Sequence, residues 1–185
     1  LSEDGNTTGS GTTEEGSGSD TSGSLPAAVD GVITLKENVS IASGSWSLTD
    51  DVTIDLAQHT LTITGSATIT VPNNKKLTLK NGTIEATSYA NGTSAVFTAQ
   101  KDASIVLDGI TMTTNGAALF PAGNAAAVTV NNSNITAGTY VVGTNASTQS
   151  DQLIYSDNVK ITLTNSTFKA TAWKDNDKDT CPVMI

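Results

Sequence analysis

The densest grouping of potential ligands in this chain is Asp175-Asn-Asp177-Lys-Asp179. Alternating carboxylates can converge on a hard cation such as Ca²⁺, as in the first half of an EF-hand loop. The stretch lacks the glycine and the distant bidentate glutamate of such a loop, and Lys174 and Lys178 accompany it. It reads either as a calcium site formed by Asp175, Asp177 and Asp179 or as a solvated acidic loop; no other cofactor is expected. Catalytic groups are sparse. The single histidine, His59, stands at a bend with no acidic motif beside it, and arginine is absent. Asp50, Asp51 and Asp55 are near one another in sequence, while Asp102 and Asp108 belong to a later segment. Glycoside hydrolysis needs two carboxylates facing each other across a cleft, and solvated surface charge is the better reading for these. No GxSxG, HExxH, phosphate-binding loop or Cys/His metal pattern occurs. Cys181 is single, so no internal disulfide supports the fold.

Hydroxyl and amide groups show more order. Thr60/Thr62, Thr83/Glu85, Thr111/Thr113, Asn134/Thr136 and Thr167/Lys169 recur at equivalent positions and are expected on one outward sheet face. Thr60, Thr62, Thr83, Thr111, Thr113 and Thr136 are therefore the candidate binding residues, forming a broad polar surface that suits a glycan. Eight Asn-x-Ser/Thr sequons occur, and Asn91 and Asn145 are the accessible candidates for glycosylation because they fall in the expanded junctions 87–95 and 138–151. Those two loops are also where a binding site is most readily grafted.

The elements that must carry these residues appear as a repeat. Ile54-Asp-Leu56-Ala-Gln58-His-Thr-Leu61 is followed by Leu77-Thr-Leu79-Lys-Asn81-Gly-Thr-Ile84, then by Ile105-Val-Leu107-Asp-Gly109-Ile-Thr-Met112. Val128-Thr-Val130-Asn-Asn132-Ser-Asn-Ile135 and Ile161-Thr-Leu163-Thr-Asn165-Ser-Thr-Phe168 complete the series. A further pair sits six residues ahead of each start: Trp46/Leu48, Ile69/Val71, Phe97/Ala99, Phe120/Ala122 and Leu153/Tyr155. Three short alternating strands at fixed internal spacing make one coil of a parallel β-helix, each strand pairing with its equivalents above and below. The inward columns are expected to be Ile54, Leu77, Ile105, Val128 and Ile161; Leu56, Leu79, Leu107, Val130 and Leu163; and Leu61, Ile84, Met112, Ile135 and Phe168. Ile33-Thr-Leu35 with Val39-Ser-Ile41 forms an irregular earlier coil that starts the stack. Right-handed winding follows from the general handedness of parallel crossovers. Gln58, Asn81, Gly109, Asn132 and Asn165 mark a bend in every coil, where Asn and Gly tolerate left-handed backbone angles. Stacked amides there are expected to bond from coil to coil. Pro121 is expected to distort its rung.

With its coil length and Asn column, residues 33–170 resemble the right-handed parallel β-helix, or pectin-lyase-like, superfamily. The resemblance implies an all-β solenoid of about six coils with an asparagine ladder. The lyases of that superfamily use Ca²⁺-binding carboxylates with a catalytic Arg or Lys, and its glycosidases use Asp groups with His and Arg. A chain without arginine resembles a non-catalytic member. Flat Thr-x-Thr ranks on a β-helix also resemble ice-binding proteins, although Glu85 and Lys169 interrupt the array here.

Composition agrees with this architecture. Ser and Thr number 50 of 185 residues, the formal net charge is −9 and aromatics are 4%. Helical bundles are disfavoured by this much Thr, Ser, Asn and Gly. Nucleic-acid binding is excluded, because no basic face offsets the acidity. No apolar stretch approaches the roughly 20 residues needed to span a bilayer, and no signal peptide is evident. Seventeen of residues 1–24 are Gly, Ser or Thr and five are acidic. Residues 1–25 are accordingly expected to be a flexible acidic tail, and residues 26–185 the β-helix domain. Such a tail suits an exported protein, so the location expected is extracellular or cell-surface.

The pattern stops at Val183-Met-Ile185, at the start of a coil that is not completed. Either the solenoid belongs to a longer one, or a partner covers its end. The functions compatible with all of this are adhesion or glycan binding, a homo-oligomeric filament or surface layer stacked end to end, and part of a polysaccharide lyase or hydrolase.

Overall fold

The computed structural model describes residues 21–22, 24–46, 48–89, 95–143, 158–171 and 183–184. Its strands are β1 (Thr21–Ser22), β2 (Val32–Thr34), β3 (Val39–Ala42), β4 (Val52–Asp55), β5 (Thr60–Thr64), β6 (Ile69–Val71), β7 (Lys76–Ala86) and β8 (Ala95–Ala99). They continue as β9 (Ser104–Thr114), β10 (Ala117–Pro121), β11 (Ala127–Asn131), β12 (Asn134–Ala137), β13 (Val142–Gly143), β14 (Lys160–Thr164), β15 (Thr167–Ala170) and β16 (Val183–Met184). No α-helix occurs among the described residues. Among the described residues, all ladders between these strands are parallel. The chain is a parallel β-solenoid of about four turns.

Three strand positions repeat along it. The first face runs β2, β4, the first half of β7, the first half of β9, β11 and β14. The second runs β1, β3, β5, the second halves of β7 and β9, β12 and β15. The third runs β6, β8, β10, β13 and β16. Counting the partial rungs at both ends gave the expectation of six coils. The structure has about four turns: the first rung has no third-face strand among the described residues, and residues 172–182 of the last rung lie outside them.

Alternation drives the packing. β-branched and aliphatic side chains at every second strand position meet in a narrow core, while Thr, Asn and charged residues face out. Ile54, Leu77, Leu79, Ile84, Ile105, Leu107, Val128 and Val130 are completely buried. Each contributes about 1.5–3 kcal/mol through removal from water. Trp46 closes the core near the N-terminal rung, edge-on to Phe97 at a centroid distance of 6.2 Å.

Two inward columns differ from expectation. Val52, not Ile54, pairs with Leu77, and Ile54 pairs with Leu79. The cause is a longer bend: Ile54 and Leu61 are seven residues apart, whereas Leu79 and Ile84 are five apart. Ala57 (φ 47°) and Gln58 (φ 71°) both take left-handed angles in that bend. Leu56 becomes an additional buried residue there rather than a partner of Leu79. On the third face Leu119 and Pro121, not Phe120 and Ala122, point inward and pair with Phe97 and Ala99. Pro121 ends its strand without breaking it, since the Ala122 N–H takes up the Ala99 carbonyl at 2.9 Å. The next inward residue on that face is Val142, with which Val183 pairs in register. Leu153 and Tyr155, expected in this role, lie outside the described residues.

The bend column is confirmed in backbone and altered in bonding. Asn81, Gly109, Asn132 and Asn165 have φ between 47° and 63°. Among the described residues, the side-chain amides do not ladder with one another. Asn81 Nδ2 donates to Asp55 Oδ1 at 3.1 Å and Asn132 Nδ2 to Asp108 Oδ1 at 3.0 Å, each reaching the rung before it. Gly109 has no side chain to continue an amide stack, so the aspartates serve as acceptors instead. Inside the same bend, buried Ser133 accepts the Ile110 N–H at 3.0 Å and donates to the Asn131 carbonyl at 2.6 Å.

Candidate binding face

The second face carries the six candidate threonines. Strand register places Thr60, Thr83, Thr111, Asn134 and Thr167 in one rank running along the solenoid. Ser40, Thr62, Glu85, Thr113, Thr136 and Lys169 form the adjoining rank. Neighbouring strands stand about 4.8 Å apart and alternate residues of one strand about 7 Å apart. The ranks are thus a near-rectangular array held by buried Leu61, Ile84, Met112 and Ile135 immediately between them in sequence. Thr111, Thr113 and Asn134 are exposed; Thr60, Thr62, Thr83 and Thr136 are half-buried.

Among the described residues, the hydroxyls of these six threonines make no hydrogen bond. Other hydroxyls nearby are committed: Thr64 Oγ1 donates to the Ile41 carbonyl at 3.1 Å, and Thr114 Oγ1 to that of Ala86 at 3.0 Å. Asn115 Nδ2 likewise donates to the Thr87 carbonyl at 2.7 Å. The face therefore presents free donor–acceptor groups in its middle and self-satisfied polar groups along one margin. Glu85 interrupts the second rank between Thr62 and Thr113, and Lys169 ends it.

The first face is electrostatically different. Asp55, Lys80 and Asp108 follow one another outward along it. Lys80 Nζ lies 3.1 Å from Asp55 Oδ2, and Lys75 Nζ lies 3.1 Å from Asp50 Oδ1. At Asp55, partial burial works to raise the carboxyl pKa. The Ala57 N–H, the Asn81 amide and the Lys80 ammonium outweigh it and hold the group below the ordinary carboxylate range. Asp50 is lowered chiefly by its hydrogen bond to Lys75. These aspartates are tied into turns and ion pairs. His59 is half-buried at its bend, where its N–H donates to the Leu56 carbonyl at 2.7 Å and its carbonyl receives the Thr83 N–H at 3.1 Å.

Asp175, Asp177, Asp179, Asn91, Asn145 and Cys181 lie outside the described residues. Among the described residues, no group of three or more His, Cys, Asp or Glu is placed to hold a metal ion. No helix among them is long and apolar enough to cross a membrane. Sequence reading missed a second left-handed column at Asp30, Asn74, Asp102, Ala125 and Asn158. Each stands two residues before a first-face strand, a position that Asn or Asp fills in four of the five.

Fold and face together define a parallel β-solenoid with one hydroxyl-rich face. No family model matches the chain, and neither does any curated protein or solved structure.

Proposed function

We propose that this chain is a non-catalytic extracellular or cell-surface module that binds glycans across its second face. The observation that carries the reading is the pair of register-aligned threonine ranks whose hydroxyls have no partner among the described residues. A glycan presents hydroxyls of the same donor–acceptor character, and a rigid sheet holds its own at fixed spacing without ordering cost on binding. The face has no aromatic residue and no apolar cluster of the kind that anchors protein partners. Each contact is accordingly weak, and binding gains from repetition along an extended polysaccharide or on a crowded surface. The acidic Gly/Ser/Thr segment ahead of the solenoid suits a spacer that holds such a module away from a surface. The same features are compatible with a non-catalytic relative of the pectin-lyase-like β-helices.

A glycan array probed with the whole chain, with and without Ca²⁺, tests the reading. Binding to one or more polysaccharides is expected. Binding that depends on Ca²⁺ would locate the contact at Asp175, Asp177 and Asp179 instead of the threonine face. An array without binders would remove the proposal.

A further inference from the structure

The solenoid's two ends are built differently. At its C-terminal rung, the core columns emerge into solvent: Leu163 is 37% exposed, whereas Leu79, Leu107 and Val130 in the same column are completely buried. Ile161 and Phe168 are likewise only partly covered. Among the described strands, β14 and β15 each pair on one side alone.

At the N-terminal rung the strand edges are covered, although the covering Val29 and its partner Val32 are themselves 72% and 37% exposed. β2 uses Gly31 O and Leu35 N to bond toward β4. Val32, whose backbone points the opposite way, is taken up by Val29: the Val29 N–H donates to the Val32 carbonyl at 2.8 Å, and the Val32 N–H to the Val29 carbonyl at 2.9 Å. The two residues between them, Asp30 (φ 50°) and Gly31 (φ 75°), form an Asp-Gly turn with both central residues left-handed. This antiparallel bridge folds the chain back over the outer edge of β2. On the second face β1 covers β3, with Thr21 opposite Val39 and Ser22 opposite Ser40.

Beneath this cover the ends match. Lys160 continues the column Lys76, Ser104, Ala127. Extending the β2–β4 and β4–β7 registers back by two residues and one residue sets Asp30 and Asp51 at the head of the same column, and Asp51 Oδ1 accepts the Lys76 N–H at 2.9 Å. A second copy stacked in the same direction, with its Leu163 beside Ile33, would bring its Lys160 against Asp30 and Asp51. Its β14 would replace Val29 at the β2 edge, and its β15 would replace β1.

We infer that the Asp30-Gly31 turn and β1 together form an edge cap that holds off head-to-tail association with a second copy of this chain. Unpaired strand edges invite pairing with other chains, and a turned-back bridge of this kind removes the invitation at one end. The inference is independent of glycan binding.

The test compares the whole wild-type chain with Gly31→Val/Ser22→Pro by analytical ultracentrifugation across a concentration series. A Cβ at position 31 meets nothing closer than the Asp51 carbonyl at 3.9 Å, so Gly31→Val acts through the left-handed angle and not through a clash. Proline at 22 disfavours pairing in β1. The expected result is a monomeric wild type and a concentration-dependent oligomer in the uncapped variant. Adding Lys160→Glu should weaken that oligomer at least tenfold, and adding Asp30→Lys to Lys160→Glu should restore it. Circular dichroism identifies any variant that has lost its β structure, and the charge-swap pair repeats the test within the uncapped background. A folded uncapped variant that stays monomeric would overturn the inference, as would an oligomer insensitive to Lys160→Glu. A wild type that already stacks head to tail would overturn it too.

Discussion

Leu56 occupies the space that a side chain at position 82 would need: a Cβ on Gly82 would stand 2.5 Å from the Leu56 Cβ and 2.6 Å from the His59 carbonyl oxygen. The longer bend of one rung thus presses into the shorter bend of the next, and glycine is what lets both bends stack. Gly82→Ala is expected to cost about 1–3 kcal/mol by overpacking. Leu56→Gly should cost less in that background than alone, because it removes the Cβ at 2.5 Å while the His59 carbonyl oxygen stays in place. Urea unfolding of the two single variants and the double variant measures this coupling.

The core column predicts a gradient along the solenoid. Leu107→Ala removes a completely buried side chain and should cost about 2–5 kcal/mol. Leu163→Ala, at the 37% exposed end of the same column, should cost roughly 1 kcal/mol. Thermal unfolding of both variants decides it, and equal costs would mean that the last rung is covered as tightly as the middle.

Ser133→Ala removes the acceptor of the Ile110 N–H. Ser133 is 1% exposed, so that donor has no access to water in its place. A loss of about 1–3 kcal/mol is expected in denaturant unfolding. Ser133→Thr keeps the oxygen and should cost less.

Acid should loosen the first-face bends through Asp55. Its folded pKa lies below the ordinary aspartate value, so its contribution is complete above the unfolded value, near pH 4, and fades as pH falls through the folded value. Wild-type stability should therefore drop more steeply below about pH 4 than that of Asp55→Asn. Parallel slopes in melting temperature against pH would show that the Ala57, Asn81 and Lys80 contacts do not favour the ionised form.

Much of the architecture could be read from residue spacing, and the exceptions have particular causes. The Leu61–Phe168 column and the outward ranks beginning at Thr60 and Thr62 fall where the repeat puts them, because the second-face strands hold a strict alternation. The first-face column slipped by two at Ile54, since nothing in Ala57-Gln58 announces a left-handed pair; alanine rarely adopts that angle. On the third face a constant six-residue spacing puts Phe120 and Ala122 inward, one position late, because Pro121 and Val128 are seven residues apart whereas Ala99 and Ile105 are six apart. The Asp55 acceptor for Asn81 depended on the register slip at Ile54, whereas Asp108 stands in the expected register and its bond to Asn132 is a matter of side-chain geometry. The Asp30-Gly31 turn carries a familiar hairpin dipeptide, but its role as an edge cap emerges from the two hydrogen bonds between Val29 and Val32. The threonine face was legible as a pattern, whereas the freedom of its hydroxyls required the hydrogen bonds around it.

The most direct test of glycan binding by this face is a calorimetric titration of the best array ligand into wild type and into Thr83→Val/Thr111→Val/Thr113→Val. Valine keeps the shape and the β preference while removing the hydroxyl, so the melting temperature should hold. With about 0.5–1.5 kcal/mol from each lost hydrogen bond, affinity should fall about tenfold or more. Unchanged affinity in a variant that melts like wild type would contradict the account.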